Sequence, residues 1–273
     1  MKKLIIQEID SLPALPKSIL ELEEFRKMPN QEPMDLLKIV EKDPLLITTI
    51  LRVANSAMFG FVSKVDTPQR AISLLGINFT ISIALGTAMQ NLVNTDLSAY
   101  DSTIEDFIFS SNLASSFVLN WVSKIDINLK DQLILPAFLQ EVGKFVISQV
   151  IIQSGKKDQF IDKLQINKNI SSVEKQFLGF SCARITANIF KHWNLSHDLI
   201  FTIGFVEDLS NCPKEFLLKV KILEIIKILC DLRTPLSEQN IQRALNKADQ
   251  YGLNSKLLIQ SIESIKFKLD NHI

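Results

Sequence analysis

Asp43-Pro-Leu-Leu-Ile-Thr-Thr-Ile-Leu-Arg-Val-Ala-Asn-Ser-Ala-Met-Phe-Gly60 is the stretch on which the fold class turns. Aspartate followed by proline is a helix-start signal: the carboxylate accepts first-turn amides, and proline at the first helical position lacks only an N–H that would have no partner. Behind it Leu46, Ile50, Val53, Ala54 and Ala57 recur at i, i+4, i+7, i+8 and i+11, one face of an α-helix, and Gly60 marks its end. Working outward, Thr67-Pro68 repeats the start signal before Ala71, Ile72 and Leu75. Glu32-Pro33 opens a shorter helix carrying Leu36, Leu37 and Val40. Further stripes follow at Phe216, Val220, Leu223, Ile226 and Cys230, then at Ile241, Ala244, Leu245 and Ala248, and at Leu258, Ile262, Ile265 and Leu269. Sustained period-two alternation and Asn-Gly or Asp-Gly hairpin turns are absent. The pattern predicts an all-α fold of many helices.

The 273 residues suit one large domain or two closely packed ones, and an apolar fraction of 47% with 22% charged residues is that of a packed globular chain. The most polar break, residues 94–103, divides an N-terminal helical part (1–95) from a second helical core (96–235). A softer break at Arg233-Thr-Pro-Leu-Ser237 sets off a C-terminal helical hairpin (236–273). Thirty basic residues balance thirty acidic ones, which argues against a broad basic face for non-specific nucleic-acid binding. Eight glycines and three histidines leave little material for phosphate-cradling loops or an imidazole-built metal centre. Cys182, Cys212 and Cys230 are odd in number and widely spaced, so reduced thiols and a cytoplasmic location are expected.

Residues 71–95 contain no charge, and 25 residues are long enough to cross a bilayer. Ser73, Gly76, Asn78, Thr80 and Ser82 interrupt the run, and it lacks a one-sided basic flank and an aromatic belt. A pair of buried helices is expected there instead. At the start of the chain the apolar run Leu4 to Ile6 is too short for a signal-peptide core.

Leu12-Pro-Ala-Leu-Pro16, then Asp43-Pro44, then the run ending Asn55-Ser56-Ala-Met-Phe-Gly60, then Ala71-Ile72 and Leu75-Gly76, together resemble the HDOD family, the HD-related output domain of bacterial signalling proteins. The motif positions Leu12, Pro13, Leu15, Pro16, Asp43, Pro44, Asn55, Ser56, Gly60, Ala71, Ile72 and Gly76 occur in the family's order, and the similarity extends to about residue 235. The resemblance implies an N-terminal helical subdomain packed on a degenerate HD phosphohydrolase core. Catalytic HD domains hold metal ions with histidines and aspartates, which lower the pKa of bound water for phosphate ester hydrolysis.

Ala137-Phe-Leu-Gln-Glu-Val-Gly-Lys144 resembles the segment that carries the His-Asp pair, with Gln140 and Glu141 in the two ligand positions. Ser110 or Ser111 falls where the family often has histidine, and Cys182 takes another histidine's place in Leu178-Gly-Phe-Ser-Cys-Ala183. Trp193-Asn-Leu-Ser196 resembles a Trp-x-Leu-Pro turn with Ser196 for proline. The resemblance therefore implies no catalytic residue, no metal site and no cofactor. Ser110, Ser111, Gln140, Glu141 and Cys182 are left as a relic pocket with room for the idea of a small ligand.

Other readings stand beside these. His197-Asp198 follows Ser196 and reads as a helix start, with serine as the cap and Asp198 in the first turn. Asn55 reads as a tie between a helix end and the following loop, with partner binding by Asn55, Ser56 and Phe59 as the alternative. Phe107, Phe109, Phe117 and Trp121 read as core. Ala248-Asp-Gln-Tyr-Gly252 before Leu258 has the spacing of a helix-turn-helix whose second helix would run over 255–268 with Lys256, Lys266 and Lys268; Glu263 and the scarcity of base-reading side chains count against DNA.

The resemblance implies a non-catalytic signalling module. It would work through protein–protein contacts in trans with two-component, chemotaxis or cyclic-dinucleotide pathway proteins, with no membrane span and with homo-oligomers left open. A metal-dependent phosphohydrolase with atypical ligands is the alternative.

Overall fold

The structure, a computed structural model, describes residues 1–56, 58, 59, 61, 63–92, 96–167 and 169–271, and for 88–92 the backbone only. Ala57, Gly60, Asn94 and His272 lie outside the described residues. Among those described there are helices and turns and no strand.

The start signals act as the sequence predicts. Asp43 accepts the amides of Leu45 (2.9 Å) and Leu46 (3.4 Å) and begins the helix Pro44–Ala54. Thr67 accepts the Arg70 amide at 3.3 Å and begins Pro68–Leu75. The first of these helices ends earlier than its apolar stripe suggested, at Ala54 rather than beyond Ala57. Asn55 is the reason. Its Nδ2 donates to the carbonyls of Leu51 (2.8 Å) and Val65 (2.7 Å), and its Oδ1 accepts the Val65 amide at 2.8 Å. One side chain thus ends the helix and pins the far side of the following loop.

Pro68–Leu75 and the next helix, Ile77–Leu92, meet at an angle of 117°. Gly76 makes the corner with φ +82° and ψ 159°, a conformation essentially reserved for glycine. Ala71, Ile72, Phe79, Ile81, Ile83, Ala84 and Leu85 are all buried, so the uncharged stretch is a bent pair inside a protein core. The helices Ile127–Leu139 and Gly143–Gln153 are also apolar and long enough together to cross a membrane, but 89% of their most apolar window is buried in the protein.

A single apolar core runs from Ile5 to Ile265 and is shared by the three stretches 1–95, 96–235 and 236–273. The first helix, Lys2–Asp10, packs on Gly143–Gln153 and on Cys182–His192, and Ile77–Leu92 packs on Ile127–Leu139. Trp193 Nε1 donates to the Pro13 carbonyl at 2.9 Å, joining two of the sequence motifs across the fold. At the C-terminus, Glu238–Gln250 lies against Leu217–Leu229, and Ser255–Asp270 packs on Ile104–Phe117 and the π-helical turn Val118–Val122.

Two expectations need correction. Phe109 does not join the aromatic core: it is 38% exposed, whereas Phe107, Phe117 and Trp121 are buried, because it falls on the outer face of Ile104–Phe117. Ser196 precedes the helix His197–Gly204 but does not cap it with its side chain. Its hydroxyl accepts from Arg26 at 2.8 Å instead, tying the helix start to Lys17–Arg26.

Gly76→Ala tests the corner. A Cβ there would meet no atom within 4 Å, so any cost is backbone strain alone, and a loss of about 1–3 kcal/mol is expected from urea unfolding. An unchanged midpoint would show that the bend does not require glycine.

Candidate functional site

Gln140 and Glu141 sit in the turn between Ile127–Leu139 and Gly143–Gln153. Gly143 permits the close approach that shapes this turn: its amide donates to Thr186 Oγ1 at 2.9 Å, and a Cβ on it would come within 2.8 Å of the Cys182 carbonyl. Thr186 also donates to the Gln140 carbonyl at 3.1 Å, so the start of the helix Cys182–His192 holds the turn from behind. The Gln140 side chain is buried and its Oε1 has no hydrogen-bond partner.

Around Glu141 the structure assembles a buried cluster of charges. Lys144 Nζ lies 2.8 Å from Glu141 Oε2 and 2.8 Å from Glu174 Oε1. Lys227 Nζ lies 2.7 Å from Glu141 Oε1 and 3.4 Å from Glu207 Oε1. The Tyr100 hydroxyl donates to Glu174 at 2.8 Å, and Lys144 sits 4.8 Å from the centre of the Tyr100 ring. The side chains of Lys144 and Glu174 are 1% and 0% exposed. Charges this deep persist only when paired, because an isolated ion would neutralise or force the structure open.

The pairing decides the protonation states. Burial pushes the Glu141 carboxyl upward, but the ammonium groups of Lys144 and Lys227 outweigh it and hold it below the ordinary carboxylate range. Burial pulls both lysines down, and Glu141, with Glu174 at Lys144 and Glu207 at Lys227, reverses this and raises both. Burial, with the nearby Glu141 and Glu174, raises the Cys182 thiol well above its usual value, so it stays protonated.

The relic positions converge around a small void. Ser110, Ser111, Gln140 and Glu141 line it with Lys227 and Cys230, and it encloses about 10 Å³, at the lower limit for a single water. The Ser110 hydroxyl is spent on the Cys230 carbonyl. Cys182 stands behind the turn, 3.9 Å from the Glu141 carbonyl. The void itself has no room for a small ligand, whereas Glu141 also lines a wider open cleft. Nor do the residues fit a metal ion: both Glu141 oxygens face ammonium groups, Cys182 offers a thiol rather than a thiolate, and no group of three His, Cys, Asp or Glu suited to a metal occurs among the described residues.

Sequence reading found Glu141 but not its partners Lys144, Glu174, Lys227, Glu207 and Tyr100. A signal existed for two of them. Lys227 falls at the right spacing to join Val220, Leu223 and Cys230 on an apolar stripe, and Glu174 sits beside Val173 on the stripe of Ile170 and Leu178. A charge inside an apolar stripe points to a buried partner, though not to which one.

The HDOD domain model matches residues 12–209, and the chain belongs to the HDOD family. Over 96% of its length it superimposes on a candidate signal transduction protein from Marinobacter aquaeolei VT8 (TM-score 0.70, 19% identity, 58% of that chain), and over 98% on a candidate phosphohydrolase from Shewanella amazonensis SB2B (TM-score 0.68, 18% identity, 96% of that chain). An uncharacterized protein from Treponema pallidum (strain Nichols) is 23% identical over 218 residues, and the match spans 78% of this chain but only 40% of that longer relative.

Two measurements follow from the charge cluster. Lys144→Met leaves Glu141 and Glu174 short of a counter-charge and is expected to cost about 3–5 kcal/mol in urea unfolding. The pH dependence has a definite sign. A lowered carboxyl contributes fully above the ordinary carboxylate range and loses that contribution as pH falls through its lowered value. A raised lysine contributes fully below the ordinary lysine range and loses it only as pH climbs through its raised value. The cluster thus stabilises from about pH 5 to about pH 10. Glu141→Gln should be less stable than the parent at pH 7, with the difference narrowing in acid; a gap independent of pH would contradict this assignment.

Proposed function

We propose that the chain is a regulatory module that acts by binding other proteins and does not hydrolyse phosphate esters. The observation that carries this reading is the pair of ammonium groups at 2.8 and 2.7 Å from the two oxygens of Glu141. Glu141 stands in the segment resembling the one that carries metal ligands in catalytic HD domains. A lysine ammonium supplies positive charge there, but it coordinates no water and cannot generate a hydroxide nucleophile.

The partners fitting this reading are signalling proteins of the two-component, chemotaxis or cyclic-dinucleotide pathways. Three unpaired thiols are in keeping with a reducing cytoplasmic compartment. The metal-dependent phosphohydrolase reading draws on the Shewanella relative, and it requires Glu141 to exchange both lysines for metal. DNA binding fits less well: the outer face of Ser255–Asp270 presents Ile259, Glu263 and Phe267 alongside Lys256, with Phe267 69% exposed.

Elemental analysis of the purified protein, combined with a screen of phosphodiester and nucleotide substrates, tests the proposal. Iron and manganese well below one per chain and no turnover above the blank are expected. Stoichiometric metal with turnover abolished by Glu141→Ala would overturn it. A mobility shift on duplex DNA at physiological salt, lost on truncation after Thr234, would favour the DNA reading instead.

A further inference from the structure

Glu141, Lys144 and Lys227 also line an open cleft of about 620 Å³. Its walls are the helices Ile170–Leu178, Leu217–Leu229 and Glu238–Gln250. The volume falls within the range of small-molecule sites, about 300–1,000 Å³.

The carboxylates facing the cleft are already engaged. Glu141 is held by Lys144 and Lys227. Glu207 faces Lys227 at 3.4 Å and Lys175 at 3.8 Å. Glu224 is held by Lys247 at 2.9 Å and by the Tyr251 hydroxyl. Asp231 accepts the amides of Arg233 and Thr234, each at 3.1 Å. The cations are not so fully used. Arg243 donates to the Asn240 side chain at 3.1 Å and has no carboxylate partner among the described residues. Lys175 is 46% exposed with only the long contact to Glu207 and a carbonyl. Arg243 is thus the lining cation without a carboxylate partner among the described residues, and Asp231 the lining carboxylate held by neutral donors alone.

The N-terminal turn of Ile170–Leu178 adds partial positive charge. Asn169, Ser171 and Ser172 line the cleft, so the positive end of that helix dipole lies in its wall; Asn169 caps the helix by accepting the Ser172 amide at 3.3 Å, which leaves the amides of Ile170 and Ser171 as the other first-turn donors. Among the described residues the rest of the lining is amide and hydroxyl, with Ile170 and Ile228 the apolar ones and no aromatic ring. Such a surface suits a hydroxyl-rich molecule and offers nothing for a base to stack on.

We propose that this cleft binds a small phosphorylated polyhydroxy compound. Arg243, Lys175 and the N-terminal turn of Ile170–Leu178 take the phosphate, and Ser171, Asn246 and Gln250 take hydroxyls. The planar fork of arginine matches two phosphate oxygens at once. Arg243, Asn246 and Gln250 belong to Glu238–Gln250, beyond the residues 12–209 matched to the family. The ligand would therefore bridge the C-terminal hairpin to the domain core and stabilise the two together. A regulatory module or an enzyme could carry this site equally well, so its failure would leave the preceding reading standing.

Calorimetry and thermal unfolding of the full chain at fixed ionic strength, with glucose 6-phosphate, inorganic phosphate, glucose, citrate and ATP, provide the test. Glucose 6-phosphate is expected to bind saturably and raise Tm, inorganic phosphate more weakly, and glucose not at all. Arg243→Ala should weaken glucose 6-phosphate by about tenfold or more while leaving the unliganded Tm close to the parent. No saturable binding of either glucose 6-phosphate or phosphate, or binding unaffected by Arg243→Ala, would overturn the proposal. Citrate binding as tightly as the sugar phosphate would replace phosphate by carboxylate as the ligand class, and tighter ATP binding would refute the polyhydroxy assignment.

Discussion

Glu141 between Lys144 and Lys227 is the constraint from which the centre of this protein takes its shape. Withdrawing these groups from water costs several kcal/mol per ion, and only short contacts to opposite charges offset it. The contacts demand that Gly143–Gln153, Ile170–Leu178 and Leu217–Leu229 deliver Lys144, Glu174 and Lys227 to one point. Glu207 is brought in on a residue with φ +76°, a strained backbone for a side chain this size. Helices joined in this way cannot shift independently without stranding a charge.

The same cluster separates two spaces with different prospects. On one side, Ser110, Ser111, Gln140, Lys227 and Cys230 leave a void of about 10 Å³. Outward, the floor of compensated charge opens into a polar cleft whose rim cations are only partly matched. The C-terminal hairpin makes this difference, because Arg243 and Lys247 reach the rim from it.

Local features were legible from the chain because their causes are local. Asp43 and Thr67 cap helices with their own neighbours' amides, and Gly76 supplies a backbone angle that depends on nothing distant. Asn55 was legible for a related reason, since its amide reaches only ten residues on, to Val65. Where the helix ended was not legible, as the apolar stripe continued past the point at which Asn55 terminates it. Phe109 was misread for want of three-dimensional context, and Ser196 begins its helix with Asp198 in the first turn, as read, but without a side-chain cap. Which face of Ile104–Phe117 is covered, and what Arg26 reaches from 170 residues away, are decided by packing.

The candidate centre divides along the same line. Sequence by itself determined the all-α class, the helix starts, the buried uncharged pair and the family resemblance, and it located Gln140, Glu141 and Cys182 in two segments short of metal-binding histidines. Periodicity and capping carry that information within a few residues of each position. Only the tertiary structure decided that Glu141 is clasped by Lys144 and Lys227, that Glu174 and Tyr100 complete the network, and that the usable cavity faces outward. Those partners are separated by 3 to 86 positions along the chain, and a charge on an apolar stripe announces burial without naming its counter-ion. The pairing belongs to the packing of helices, and no local pattern encodes it.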